Sequence, residues 1–230
     1  MKRRRETETS LRRSEAGEPV REVAQAMYPR QGSWTEEEYH RFELAFPGKV
    51  EFVDGSLDFH SLPRFRHERL IKQVRRLFEG ALERPGLAEI FQAGLICKIL
   101  RRHPLFGTRD RLPDVVATRP DPPSEDDYPL AEGLLACVEV VSDDDRSFER
   151  DHEIKRREYA AAGIPEYWVV DPTDPADPFV LVLTLPDGAA GYAEHGTFRP
   201  GETATSPSQP GLRCDVTELF AAAGIVPGEA

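Results

Sequence analysis

No apolar run in this chain approaches the roughly 20 residues that a membrane-spanning helix needs. Its hydrophobic residues, 39% of 230, are spread among charges. Cysteine is scarce: Cys97, Cys137 and Cys214 stand far apart, odd in number and without a Cys-x-x-Cys pair. That argues against a disulfide framework and against a thiolate zinc site. The three read as small buried apolar side chains in a reducing cytoplasm. Net positive charge is missing too, with 30 Lys and Arg against 41 Asp and Glu, a balance of −11. Tight nonspecific binding to nucleic acid at physiological salt is therefore not expected of the surface as a whole. A local basic face or a bound metal ion could still draw phosphate in. Residues 2–5, Lys-Arg-Arg-Arg, are not followed by the apolar core of a secretion signal. A cytoplasmic protein with no membrane partner is the expectation.

What is present is concentrated between residues 113 and 171. Pro113-Asp114 opens one apolar run, and residues 134–141 form a second with Glu139 inside it. A run this short and apolar reads as a strand covered on both faces. A carboxylate there must take a proton or find a cation. Ser142 ends the run, and Asp143-Asp144-Asp145 reads as a turn and helix start. The helix is expected over Ser147–Ala162 with Gly163 as its stop. At ~100° per residue, Phe148, Asp151, Lys155, Tyr159 and Ala162 share a stripe facing the sheet, with Arg150, Glu153 and Arg157 on the other side. Residues 167–171 then form a strand, so strand, helix and strand make a right-handed parallel crossover.

Asp114, Glu139 and Lys155 thereby converge. Two carboxylates can hold a hard divalent ion, Mg²⁺ or Mn²⁺, through oxygen. Such an ion lowers the pKa of a bound water and neutralises a phosphoryl oxygen. A neighbouring lysine can orient the attacking water or stabilise the charge that develops. This is the chemistry of phosphodiester hydrolysis. Tyr159, one turn beyond Lys155, could hydrogen-bond into the site, although packing is its expected role. A buried structural ion pair between Glu139 and Lys155 would leave the same pattern.

Pro113-Asp114, Val138-Glu139-Val140-Val141-Ser142, Asp151…Lys155…Tyr159 and Glu166-Tyr167-Trp168-Val169-Val170-Asp171-Pro172 together resemble the Uma-two family of restriction endonucleases, within the PD-(D/E)XK nuclease superfamily. The resemblance takes in residues 50–55, His67, Gly201-Glu202 and Pro210-Gly211-Leu212, and runs from about Thr35 to Ala222. It implies a metal-dependent nuclease acting on DNA, with Asp114 and Glu139 as metal ligands. It also implies Glu51 as an accessory acid and His67 as a group beside the site. The superfamily's lysine lies two residues after the acidic residue, where this chain has Val141. In this family the lysine sits on the following helix, which maps to Lys155. Asp143-Asp144-Asp145 departs from the Ser-Pro common in relatives.

The implied fold is α+β: a restriction-endonuclease-like core, a twisted mixed sheet flanked by helices, with a C-terminal β-hairpin extension. The expected layout is a flexible charged leader over 1–32, one nuclease-like domain over 33–225 and a tail over 226–230. Thr35 and Glu38 form a capping box opening a short helix, and Asp54-Gly55 turns a hairpin. Glu51, inside the first strand of that hairpin, is solvent-facing on one reading and beside the metal on the other. An amphipathic helix is expected over Arg64–Arg84, with Leu70, Ile71, Val74, Leu77, Phe78 and Ala81 inward and Arg69, Lys72 and Arg76 outward. Ala88–Leu100 reads as two strands or one bent at Gly94. Lys98 within it points to the surface by default and is otherwise an alternative cation for the site. Arg101–Arg111 reads as an exposed basic loop, and Asp121–Gly133 as a solvated one. A homodimer suits cleavage of both strands. Two rival functions stand beside the nuclease: a catalytically inactive nuclease fold used to bind nucleic acid or protein, and a two-carboxylate glycoside hydrolase needing no metal.

Overall fold

Two β-sheets meet at the convergence of Asp114, Glu139 and Lys155 in the computed structural model, which describes residues 30–46, 48–60, 64–92, 94–142 and 147–226. The expected leader lies outside the described residues except for 30–32. The turn at Asp143-Asp144-Asp145 lies wholly outside them, and of the tail only Val226 lies within. Among the described residues no helix is long and apolar enough to cross a membrane.

Helix α1 (Glu36–Glu43) opens on the expected capping box between Thr35 and Glu38. Strands β1 (Val50–Val53) and β2 (Ser56–Phe59) form the expected hairpin. Its turn residues Asp54 and Gly55 have φ of 47° and 83°, the left-handed region that Asp-Gly tolerates at low cost. Helix α2 (Phe65–Phe78) buries Leu70, Ile71, Val74 and Phe78 and continues as a π turn over Glu79–Glu83. Strands β3 (Glu89–Gln92) and β4 (Cys97–His103) part on either side of Gly94 and enter different sheets. Strand β5 (Gly107–Arg111) pairs antiparallel with β4. The four-stranded sheet runs β2-β1-β5-β4.

The six-stranded sheet is mixed. Strand β6 (Val115–Thr118) is followed by a small hairpin, β7 (Ser124–Glu125) and β8 (Tyr128–Pro129). Strand β9 (Leu134–Val140) is almost wholly buried, as an apolar run covered on both faces requires. Helices α3 (Ser147–Glu149) and α4 (Lys155–Ala161), joined by a π turn over Arg150–Ile154, lead to β10 (Glu166–Asp171), which pairs parallel with β9. Strands β11 (Phe179–Thr184) and β12 (Ala193–Phe198) add an antiparallel edge. The order is β12-β11-β10-β9-β6-β3. Strands β13 (Thr203–Thr205) and β14 (Arg213–Asp215) pair separately, and α5 (Val216–Ala222) follows. Val138 and Val140 pack with α2 and α5, whereas Cys137 and Val141 pack with Tyr159 of α4. The three cysteines are free and buried, as expected.

Four expectations fail, one of them only in part, for physical reasons. Arg101–Arg111 is no exposed loop but most of the β4–β5 hairpin, where Arg109 and Arg111 are drawn inward by Glu158. Asp121–Gly133 is solvent-exposed over much of its length, as expected, but is not all loop: β7 and β8 pair within it, and their turn carries Asp126 and Asp127 at positive φ. Lys98 is buried, its Nζ 3.1 Å from Glu125 and 3.5 Å from Asp126, so it serves neither the surface nor the Glu139 site. Phe148 leaves the buried stripe, at 55% exposure. The Lys155 N–H bonds the Arg150 carbonyl five residues back. A turn this wide rotates the residues before it out of phase with the α-helix that follows.

Asp110 of β5 is fully buried, and neither of its carboxylate oxygens has a hydrogen-bond partner among the described residues. His40 Nε2 of α1 lies 3.6 Å away. Burial and then Glu36 push the Asp110 carboxyl up to about 7 against the pull of Lys98 and Arg101. The folded chain thus keeps a proton that an unfolded carboxyl near ~4 gives up. This group's contribution to stability is present at acidic pH and lost as pH rises toward about 7. Asp110→Asn mimics the protonated form. Its urea midpoint should match wild type near about pH 4 and exceed it near about pH 8. A variant less stable than wild type near about pH 8 would contradict the assignment.

Candidate active site

Register sets the site. Val115 of β6 pairs with Val138 of β9, so the next positions outward are Asp114 and Glu139. Both side chains are buried. Lys49 Nζ donates to Asp114 Oδ1 at 2.6 Å, and the Val140 N–H donates to Oδ2 at 3.0 Å. His67, from the first turns of α2, places Nε2 2.8 Å from the Val140 carbonyl oxygen and 3.5 Å from Asp114 Oδ2. Burial alone would raise the Asp114 pKa, but the His67 hydrogen bond and the Lys49 charge hold it well below the usual carboxylate range. Burial alone would lower His67, and Asp114 raises it instead.

Glu139 meets two donors on one oxygen. Lys155 Nζ lies 2.9 Å from Oε1, and the Tyr159 hydroxyl donates to Oε1 at 2.7 Å. Burial pushes the Glu139 carboxyl up to about 7 against the pull of Lys155. Lys155 also lies 3.3 Å from Glu51 Oε1 and 3.7 Å from Asp151 Oδ1. Burial would lower its pKa, but Glu139, Glu51 and Asp151 outweigh it and hold the ammonium proton above the ordinary lysine range.

Glu51 is 0% exposed, which rules out its solvent-facing reading. Its Oε1 accepts from the Leu112 N–H at 2.9 Å, and its Oε2 accepts from Arg111 Nη1 at 2.8 Å. Arg111 is itself clamped by Glu158, with Nη2 2.7 Å from Oε2. One carboxylate thus ties β1, β5 and the Lys155 helix together. Burial raises the Glu51 pKa and is overcome by Lys155, His60 and Arg111, which hold it well below the usual value.

Asp114, Glu139, His67, Lys49, Lys155 and Arg150 help to wall a cavity of about 30 Å³. That is room enough for ordered water. Lys49 and Arg150 join this cavity although residue spacing in the sequence does not place them there. Arg150 falls on the outer face of an α-helical projection, but the π turn brings it inward, with Nε 3.1 Å from Asp151 Oδ1 and Nη2 2.9 Å from Ser147 Oγ. Lys49 precedes β1 and carries no local signal of its role.

The donor chemistry of the Asp114–Glu139 cavity fits a hard divalent cation. It offers carboxylate oxygens from two strands, and each carboxylate now carries a lysine that a cation could replace. A second set, Glu51, Asp58 and His60, has ligand atoms within 4.8 Å of one another. The Arg111 guanidinium occupies that set, 2.8 Å from Glu51 and 3.9 Å from Asp58, and like charge disfavours a further cation there.

Comparison with known proteins gives consistent results. A family model, Uma2, described as "Putative restriction endonuclease", matches residues 36–217. No curated protein matches. The chain is similar to a crystal structure titled as a "putative nuclease belonging to DUF820" from Anabaena variabilis, with a TM-score of 0.59 and 17% identity. The match covers 83% of this chain and 99% of that one, and it shows a shared restriction-endonuclease-like fold.

The network makes Glu51 a structural keystone. Glu51→Gln should cost about 3–5 kcal/mol in urea denaturation, because Arg111 and Lys155 would keep buried charge with a neutral partner. Asp58→Asn, at the exposed end of the same cluster, should cost under about 1 kcal/mol. Equal costs for the two variants would contradict this division.

Proposed function

The chain belongs to the Uma2 family, and on that premise we propose that it is a metal-dependent endonuclease that hydrolyses phosphodiester bonds in DNA. The observation that carries this reading is the meeting of Asp114, Glu139 and Lys155 around one small polar cavity. Asp114 and Glu139 would hold Mg²⁺ or Mn²⁺, which when bound supplies charge neutralisation at a phosphoryl oxygen and a more acidic water. Lys155 acts as a fixed cationic donor. Its proton is held by three carboxylates, so it orients the attacking water and stabilises the anionic oxygen rather than acting as the base. Tyr159 fixes Glu139 Oε1, and His67 fixes the Val140 carbonyl and Asp114. Two copies acting together would cut both strands.

A second reading is a nuclease fold kept for binding without turnover. Lys49 and Lys155 already neutralise the two carboxylates, which favours it. Nicking of supercoiled plasmid separates the two. With Mg²⁺ or Mn²⁺ the folded wild type should nick. EDTA should abolish this, and Asp114→Asn, Glu139→Gln and Lys155→Met should each lower the rate by about 100-fold or more while melting cooperatively. Absence of nicking by folded wild type with either ion would sink the nuclease reading in favour of the binding one.

A further inference from the structure

Building on the nuclease reading, we propose that the exposed basic stripe of α2, formed by Arg69, Lys72 and Arg76, carries the phosphate backbone of the nucleic acid beside the Asp114–Glu139 cavity. Between residues 64 and 76 the chain holds six basic residues and one acidic residue, Glu68, although the whole chain has a balance of −11. Arg75 is spent on Glu79 at 2.5 Å. Arg66, Arg69, Lys72 and Arg76 are exposed, and none is paired with a carboxylate among the described residues. Arg66, Arg69 and Lys72 follow one another three residues apart on the exposed side of the helix, where like charges repel.

Geometry gives the cluster a direction. At ~100° per residue, positions 69, 72 and 76 fall within about 60° of one another. The opposite face is fixed, because Leu70, Ile71, Val74 and Phe78 are buried in the core. The stripe is about 10 Å long, enough to reach more than one phosphate of a strand. Four cations, Arg69, Lys72, Arg75 and Arg76, line a groove of about 590 Å³ against two carboxylates, Glu68 and Glu79, and Phe65 and Gln92 complete its wall. Phe65 is 73% exposed, with the Arg69 guanidinium 4.6 Å from its ring centroid, and offers a face on which an unpaired base could stack.

Two separate elements join this groove to the cavity. His67, on the inner face of the same helix and opposite the stripe, bonds the Val140 carbonyl at the cavity wall. Gln92 of β3 pairs with Val115, the residue after Asp114. On this proposal a strand with one phosphate at the cavity continues over the outer face of α2, past these three cations. Phosphate contact needs no base-specific partner, so the stripe positions nucleic acid without reading its sequence.

The test is binding rather than cleavage, so that it stands apart from the nuclease reading. Fluorescence anisotropy with a labelled DNA duplex, and in a second arm a labelled RNA of the same length, is followed across a salt series in EDTA. The wild type should bind the DNA, with affinity falling steeply as salt rises. The triple variant Arg69→Ala, Lys72→Ala, Arg76→Ala should bind at least about tenfold more weakly at low salt, with the slope of log affinity against log salt smaller by about 2 to 3. A control that removes three other exposed arginines, Arg41→Ala, Arg157→Ala, Arg213→Ala, should keep the wild-type slope. Matching melting curves show that each variant is folded. Wild type that binds DNA in this way but never nicks plasmid would sink the nuclease reading and leave the stripe assigned. Equal slopes for the triple variant and wild type, or no binding by wild type in the DNA arm, would overturn the proposal. Binding in the RNA arm alone would also overturn it for a DNA substrate.

Discussion

A buried ammonium holds this molecule's chemistry in place. Lys155 leaves α4 into the space between the two sheets, where Glu139 of the six-stranded sheet and Glu51 of the four-stranded sheet both reach it. Asp151, a turn earlier on the same helix, is the third carboxylate around it. Removing a lysine from water is expensive, and the cost is offset only while all three anions stay in place. The position of the helix over β9 and β10, the spacing of the sheets and the aim of Glu139 are therefore coupled through one nitrogen.

The charges extend outward from that centre in pairs. Arg111 sits between Glu51 and Glu158, Lys49 and His67 sit on Asp114, and Arg150 sits on Asp151. An apolar core of the same volume would be at least as stable, so stability alone does not explain so many buried ions. They give the cavity a polar wall of fixed geometry, and fixed dipoles and charges act most strongly where water is scarce. The same pairing keeps the carboxylates compensated while no divalent cation is bound.

Much of this was legible in the sequence because local rules and long-range packing agree there. The capping box at Thr35, the Asp54-Gly55 turn and the β9–helix–β10 crossover follow from residue type and spacing. The approach of Asp114 to Glu139 follows from two strands whose apolar runs must pair. What was not legible depends on departures from regular geometry or on partners distant in sequence. The π turn at Arg150–Ile154 moves Phe148 outward and Arg150 inward, and nothing in residue periodicity announces a single wide turn. Lys98, Arg109 and Arg111 look like surface cations until their carboxylate partners, up to 60 positions away, are known. Glu51 could be placed on a strand but not on a face, because its partners come from another strand and a helix.

The central claim is that Asp114 and Glu139, and not the neighbouring Glu51, Asp58 and His60 set, form the metal centre. Anomalous diffraction from a crystal grown with Mn²⁺ tests it directly. One manganese peak bonded to oxygens of both Asp114 and Glu139, with Lys49 displaced from Asp114, is the predicted result. A peak on Glu51, Asp58 and His60 with none between Asp114 and Glu139, or no manganese bound to the chain at saturating Mn²⁺, would contradict it.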